Sequence, residues 1–149
     1  MFYGIDSIKF EGINNNFYID NGCVYSKDKS IDNSWLSKNI DNVNNYNEDE
    51  LCGFIFTSNG FTNLYKLMDN AFQKENYKMQ NKSLPIFLIA GSDDPVIKNE
   101  NKFLELVDFL KELGYKNVTS KLYKDLKHEI LNENEKEIIY KDILKFLNK

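Results

Sequence analysis

The sequence predicts an α/β fold, because strand and helix patterns alternate through its second half. Residues 86–90 form an unbroken apolar run of strand length, which is typical of a strand buried on both faces of a parallel sheet. Residues 117–123 have the character of a second strand. Helix patterns follow each strand, and strand and helix in alternation indicate α/β architecture with parallel strands.

Each helix pattern has its own evidence. Residues 100–113 place apolar side chains on one helical face, and Gly114 follows at a C-cap position. A last helix is predicted to open near Asn134, with Glu137 three residues later as a capping box, and to end at Leu147. Two strands and two helices make only the edge of a doubly wound sheet, so we expect the last third to half of a larger domain.

The first half of the chain has a different character, and we set the boundary between residues 1–83 and 84–149. Residues 1–83 are polar, rich in asparagine and weakly periodic, with clusters typical of turns and loops. Aromatic side chains nevertheless recur there, which disordered segments usually lack. We therefore expect this half to fold against something, with short helices at residues 41–46 and 62–74.

Composition excludes several classes of function. The chain has 149 residues, 42% of them hydrophobic, which suits one domain. A net charge of -4 and a pI near 5.1 argue against binding to nucleic acid or to anionic membranes, which requires clustered positive charge. No apolar stretch is long enough for a transmembrane segment, and the N-terminal residues do not resemble a signal peptide.

The two cysteines indicate no metal site and no disulfide framework. Cys23 and Cys52 are far apart and lack CxxC spacing. Reduced, partly buried thiols in a cytoplasmic protein are the expectation. No residue pattern calls for a cofactor.

An acidic pair and the single histidine occupy the positions where α/β proteins collect functional residues. Asp93 and Asp94 follow the first strand of the pair, and His128 follows the second. Carboxyl ends of neighbouring parallel strands share one edge of the sheet, so an aspartate and the histidine should meet there. An aspartate that holds one imidazole nitrogen lets the other nitrogen act as a general base. Taken alone, an acidic pair after a strand is more often a helix N-cap or an Asx turn, and a lone histidine is usually a surface or core residue.

Three segments together resemble a known family. LPIFLIAGSDDPV, LVDFLKELGYKNVTSKLYKDLKHEILNE and KEIIYKDILKFLN are similar to the C-terminal portion of bacterial α/β hydrolases of the lysophospholipase and monoacylglycerol lipase type, the serine aminopeptidase group. The resemblance is strongest over residues 84–148. NSWLSKN and ELCGFIFTSNGF look like the end of the helical lid that precedes the seventh strand of these enzymes.

The resemblance implies the C-terminal part of an α/β-hydrolase fold, with its last two parallel strands, and residues 1–83 as a remnant of the lid. Asp94, just before Pro95, matches the catalytic acid of the family, and His128 matches the catalytic histidine. Asp93 falls at a variable place in the pattern. Pro95 would fix the turn that presents Asp94.

The nucleophile of the family has no counterpart in this sequence. These hydrolases carry their serine on a GxSxG elbow, and no GxSxG occurs in the 149 residues. Ser58 and Ser92 lack the flanking glycine spacing, and Ser92 lies in the turn of the acid itself.

Two hypotheses of function follow. In the first, the chain is the C-terminal part of a serine hydrolase of lipid or other small esters, inactive by itself. In the second, it is a noncatalytic remnant or a pairing module that associates with a separate N-terminal hydrolase half or with itself. Three aromatic side chains allow either an acyl-chain groove or simple packing of the lid on the sheet: Trp35, Phe54 and Phe56.

Overall fold

The computed structural model describes residues 31–148, and before them the backbone of two short segments. These segments are the strands β1 (Phe17–Asp20) and β2 (Cys23–Ser26), which pair antiparallel. The sequence analysis predicts turns and loops for this region, and the two strands contradict that prediction. Asn21-Gly22, between two runs with aromatic and β-branched residues, is a strong hairpin signal that the interpretation overlooked.

Two helices follow in the region where short helices are predicted. Helix α1 (Ile40–Glu48) begins where the Asn39 side chain accepts a hydrogen bond from the backbone of Asp41. Helix α2 (Ser58–Ala71) begins four residues before its predicted start. The reason is Thr57, whose hydroxyl accepts from the backbone N–H of Gly60 and caps the helix there.

A parallel pair of strands forms the centre of the second half. Strand β3 (Pro85–Gly91) and strand β4 (Asn117–Tyr123) pair in parallel along their whole length, from Pro85 opposite Asn117 to Gly91 opposite Tyr123. Helix α3 (Glu100–Glu112) connects them. The predicted order of strand, helix and parallel strand is confirmed, and the two carboxyl ends lie side by side.

The two faces of this pair are covered by different helices. Alternate side chains of a strand point to opposite faces. On one face, Ala90 packs with Phe103 and Val107 of α3. On the other face, Tyr123 packs with Ile139 of α4 (Lys136–Leu147). Within residues 31–148, two small clusters of buried apolar residues therefore flank the sheet, one on each side.

Strand β3 is less buried than the sequence predicts. Its residues 86–89 are only partly buried, and just Ala90 and Gly91 are fully buried. The expectation of burial on both faces assumed a neighbouring strand on each side. Among the described residues β3 pairs with β4 alone, so one edge and parts of both faces of the strand lie open.

The helix ends confirm one predicted cap and contradict the other. Gly114 has a φ of 101°, and its N–H and that of Tyr115 bond the carbonyls of Lys111 and Leu110, which is a Schellman motif. The capping box at the start of α4 is wrong. The N-cap residue is Glu135, one position after the predicted Asn134, and no side chain caps the helix.

Candidate active site

Asp94 and His128 lie in contact at the carboxyl edge of the sheet. Asp94 follows β3 and His128 follows β4, and Asp94 Oδ2 lies 3.0 Å from His128 Nδ1. Because a carboxylate only accepts, Nδ1–H is the donor, and the ring Nε2 is left as the basic nitrogen of the neutral form. The proximity expected from the two strand ends is present.

Asp94 uses its two carboxylate oxygens for two different tasks. It is buried, with 6% of its surface exposed. It caps the short 3-10 turn Pro95–Ile97, where Oδ1 accepts from the backbone N–H of Val96 at 2.8 Å. Asp94 therefore has the N-cap role expected of an acid after a strand through Oδ1, and it contacts His128 through Oδ2.

The imidazole of His128 is half covered. Its side chain is 39% exposed, and one face lies against Trp35, with the ring centroids 5.1 Å apart and the planes tilted by 40°. The hydrogen bond that His128 donates to Asp94 raises the pKa of His128, against the opposing effect of burial, and the charges of Asp94 and Glu129 raise the pKa further. An imidazole in this setting holds a proton more readily than a free one.

A close approach of two backbone segments brings the acid turn to the histidine loop. Gly91 ends β3 directly beneath this loop, and a Cβ on Gly91 would lie 2.1 Å from the carbonyl oxygen of Leu126 and 2.3 Å from that of Lys127. Asp93 N–H bonds the same Leu126 carbonyl at 2.9 Å, and Ser92 N–H bonds the Tyr123 carbonyl at 2.9 Å. Only glycine leaves room for this contact.

Residues before α1 cover the histidine loop from the other side. The carbonyl of Leu36 accepts from the N–H of Glu129 at 2.8 Å. The Lys127 ammonium donates to the carbonyl of Ser34, and burial lowers the pKa of Lys127. Ser37 is buried and donates to the carboxylate of Glu133 at 2.8 Å. The pair Asp94–His128 is thus held between the sheet and this segment.

The chain resembles known proteins in both sequence and structure. The family model for "Serine aminopeptidase, S33" matches residues 12–135. This chain belongs to the serine aminopeptidase S33 family. No curated protein matches the chain.

A solved structure agrees with this assignment. The chain is similar to a highly thermostable carboxyl esterase from Bacillus coagulans, crystallised in complex with glycerol, with a TM-score of 0.65 and 27% sequence identity. The similarity covers 78% of this chain and 38% of the esterase. The fold is therefore that of an α/β hydrolase, and the chain spans well under half of the length of the esterase.

The two serines considered as nucleophiles occupy unsuitable places for an S33 hydrolase. Ser92 lies in the acid turn, where its hydroxyl donates to Asp93 Oδ1 at 3.1 Å and accepts from the backbone N–H of Asp125 at 2.7 Å. Ser58 is an exposed residue at the start of α2. Neither is on a strand-to-helix elbow of the family type.

The aromatic residues of the first half divide into two groups. Trp35 contacts the ring of His128. Phe54 and Phe56 are 66% and 44% exposed and pack edge to face on each other, and Phe56 packs likewise on Phe61. The prediction that these side chains pack on the sheet is therefore wrong for Phe54 and Phe56. Phe54 keeps most of its surface in solvent, and Phe56 keeps almost half.

Sequence reasoning missed Glu133 and Ser37 as parts of the site. Glu133 belongs to the acid-rich run NENEKE, where no pattern separates it from its neighbours, and its complete burial alone distinguishes it. Gly91 was a readable signal, since a glycine at the end of a strand often marks close backbone approach.

Among residues 31–148, no cluster of three potential metal ligands occurs and no helix is long and apolar enough to cross a membrane.

Proposed function

We propose that this chain provides the acid and the general base of a serine hydrolase of carboxylic esters, and that the serine comes from a part of the fold that the chain does not span. The observation that carries the proposal is the contact between Asp94 Oδ2 and His128 Nδ1 at adjacent ends of parallel strands, in a member of the S33 family. The likeness to a carboxyl esterase supports an ester as the substrate.

The chemistry follows from the two nitrogens of His128. Its Nε2 would accept the proton of the serine hydroxyl as that oxygen attacks the ester carbonyl, and would later return a proton to the leaving alcohol. Asp94 would keep the ring in the Nδ1–H tautomer and stabilise the imidazolium that forms. The raised pKa of His128 supports this role, because the pair stabilises the protonated ring.

Residues 1–83 would provide the lid of the complete site. Phe54 and Phe56 are exposed and apolar, and Phe56 packs on the partly buried Phe61; such a surface suits contact with an acyl chain. Lysophospholipids and monoacylglycerols are the substrate classes that we propose, since both combine one acyl chain with a polar head.

A chimeric enzyme tests the proposal. Residues 31–148 would replace the aligned part of the Bacillus coagulans carboxyl esterase. Under this proposal the remaining part of that esterase would supply the serine. The chimera should hydrolyse p-nitrophenyl butyrate, and His128→Ala or Asp94→Asn should lower kcat by about 10³- to 10⁴-fold, as for other triads. Asp93→Asn is the matched control and should keep the parental rate, because Asp93 is the exposed neighbour. Equal rates for the Asp94 and Asp93 variants would refute the assignment.

The isolated chain should show no ester turnover above the buffer rate. It should also remain unlabelled by a fluorophosphonate, which reacts with activated serines. Turnover of a p-nitrophenyl ester that His128→Ala abolishes would overturn this claim, because it would require a nucleophile within the 149 residues.

A pairing module is the second candidate function, and the open edge of β3 favours it. Strand β3 pairs with β4 alone among the described residues, and its apolar residues 86–89 are only partly buried. Unpaired strand edges and exposed apolar side chains seek partners. A separately encoded N-terminal hydrolase half that carries the serine, or a second copy of this chain, could pair with the strand edge and cover the apolar side chains. If the partner is that N-terminal half, the pairing would also complete the catalytic site.

A further inference from the structure

We propose that Glu133 is a positioning residue for His128, through four hydrogen bonds that tie the histidine loop to the segment before α1. The inference rests on the proposed function, since it concerns the same histidine. Neither the contact between Asp94 and His128 nor the pairing of the strands needs the Glu133 carboxylate, and this inference gives it a role.

Glu133 is the most completely buried carboxylate among the described residues, with 0% of its surface exposed. Burial of an ionised carboxylate is costly unless hydrogen bonds compensate for the lost water. Oε2 accepts from the Ser37 hydroxyl and from the backbone N–H of Lys38, both at 2.8 Å, and from that of Asn39 at 3.2 Å. Oε1 accepts from the backbone N–H of Lys127 at 3.0 Å. Three of these donors lie more than ninety residues earlier in the chain, and the fourth lies six residues earlier.

The two oxygens connect two different segments. Oε2 holds the three residues that lead into α1, and Oε1 holds the residue directly before His128. Hydrogen bonds to an ionised acceptor are stronger than neutral ones. Glu133 therefore acts as a clamp between the covering segment and the loop.

His128 lies between two fixed backbone positions as a result. Lys127 N–H is bound by Glu133, and Glu129 N–H is bound by the carbonyl of Leu36 at 2.8 Å. The same segment places Trp35 on the face of the imidazole. A shift of this loop by an ångström would lengthen the contact between Nδ1 and Asp94 beyond a hydrogen bond.

The single histidine allows a direct test in the full chain. With ¹⁵N-labelled histidine, NMR reports the tautomer and the pKa of His128 without overlap from another imidazole. In the parent we expect the Nδ1–H tautomer. Asp94→Asn removes the carboxylate that His128 contacts, and we expect a mixture of tautomers and a lower His128 pKa. The size of these changes is the reference for the other variants.

Glu133→Gln is the decisive variant, because its amide N–H₂ must face backbone donors where a carboxylate oxygen stood. We expect the tautomer and the pKa to shift in the same direction as in Asp94→Asn, by at least half as much, in protein that circular dichroism shows to be folded. Glu135→Gln removes an exposed carboxylate two residues away and should leave both values at those of the parent.

A purely structural role for Glu133 would lower the melting temperature and leave the imidazole unchanged, and that result would overturn the inference. If Glu133→Gln does not fold, Ser37→Ala decides, because it removes one donor to Oε2 and keeps the carboxylate. It should give a smaller shift in the same direction, and an unchanged imidazole would again overturn the inference.

Asp94→Asn separates the two proposals. If Asp94→Asn leaves the tautomer and the pKa of His128 unchanged, the acid–histidine pair is refuted. If Asp94→Asn changes them and Glu133→Gln does not, only the clamp is refuted.

Discussion

Asp94 shows how one carboxylate serves local structure and the site at once. Its Oδ1 caps the turn that Pro95 begins, and this bond fixes the side chain so that Oδ2 faces His128. The cap lowers the entropy that the side chain would lose on binding the imidazole. Asp93, one residue earlier, is exposed, and its carboxylate accepts from the hydroxyl of the neighbouring Ser92. Both residues are aspartates, so their positions in the turn decide which of them faces His128.

The raised pKa of His128 predicts how stability depends on pH. A histidine whose pKa is higher in the folded state than in the unfolded state stabilises the fold fully below the unfolded value, about 6.5, and this contribution disappears as pH rises through the folded value. Asp94→Asn should therefore lower the free energy of unfolding more at about pH 6 than at about pH 9. Because the imidazole is more than a third exposed, we expect a difference on the order of 1 kcal/mol or less.

Urea unfolding at the two pH values measures this difference. Asp93→Asn provides the control and should change little between them. A loss of stability in Asp94→Asn that is equal at both pH values would show that the protonated histidine draws no stability from the aspartate.

At the scale of elements, the junction between β3 and the histidine loop is the tightest point of the site. Gly91→Ala would place a methyl group against two backbone carbonyls, which cannot move as a side-chain tip can. We expect a loss of about 1 to 3 kcal/mol of unfolding free energy, as for other overpacked positions. The loop that carries His128 must also shift, so the His128 pKa should fall.

Gly60→Ala is the matched control for this substitution. It adds the same methyl group in α2, where the nearest atom is Cβ of the exposed residue Phe56 at 3.3 Å. Alanine is the better helix former by about 1 kcal/mol, so stability should stay level or rise. Thermal unfolding of both variants checks the pair, and a Gly91→Ala protein as stable as the Gly60→Ala protein would contradict the close approach.

Helices and strands with a strong local pattern could be predicted from the sequence, whereas contacts between residues far apart in the chain could not. The strand at residues 117–123 and the stop of α3 at Gly114 follow from local pattern and backbone chemistry, which act within a few residues. The position of Asp94 and His128 at one sheet edge follows from the rule for parallel strands. Glu133 could not be predicted as a clamp, because three of its four donors lie more than ninety residues away in sequence. The capping box predicted at Asn134 is a weak local preference, and the helix begins one residue later without a side-chain cap.

At the scale of the whole molecule, the described residues 31–148 combine a small buried core with many exposed apolar side chains. The two buried clusters are built on one pair of strands, while apolar residues of β3 and of α2 remain exposed or half exposed. The chain covers 38% of the carboxyl esterase, so most of that protein has no counterpart in this chain. Incomplete burial of β3 is thus what a portion of this fold should show.

This surface predicts association of the isolated chain. Sedimentation velocity over a range of concentrations should reveal species heavier than the 17.5 kDa monomer, because strand edges with apolar side chains pair readily. Ile86→Lys should reduce this association, since a lysine on an edge strand opposes pairing. Leu84→Lys places the same charge on a residue 44% exposed and outside the strand, and it should have a smaller effect. A folded parent that sediments as a monomer at every concentration would refute self-association, and equal effects of the two lysines would place the contact away from the strand edge.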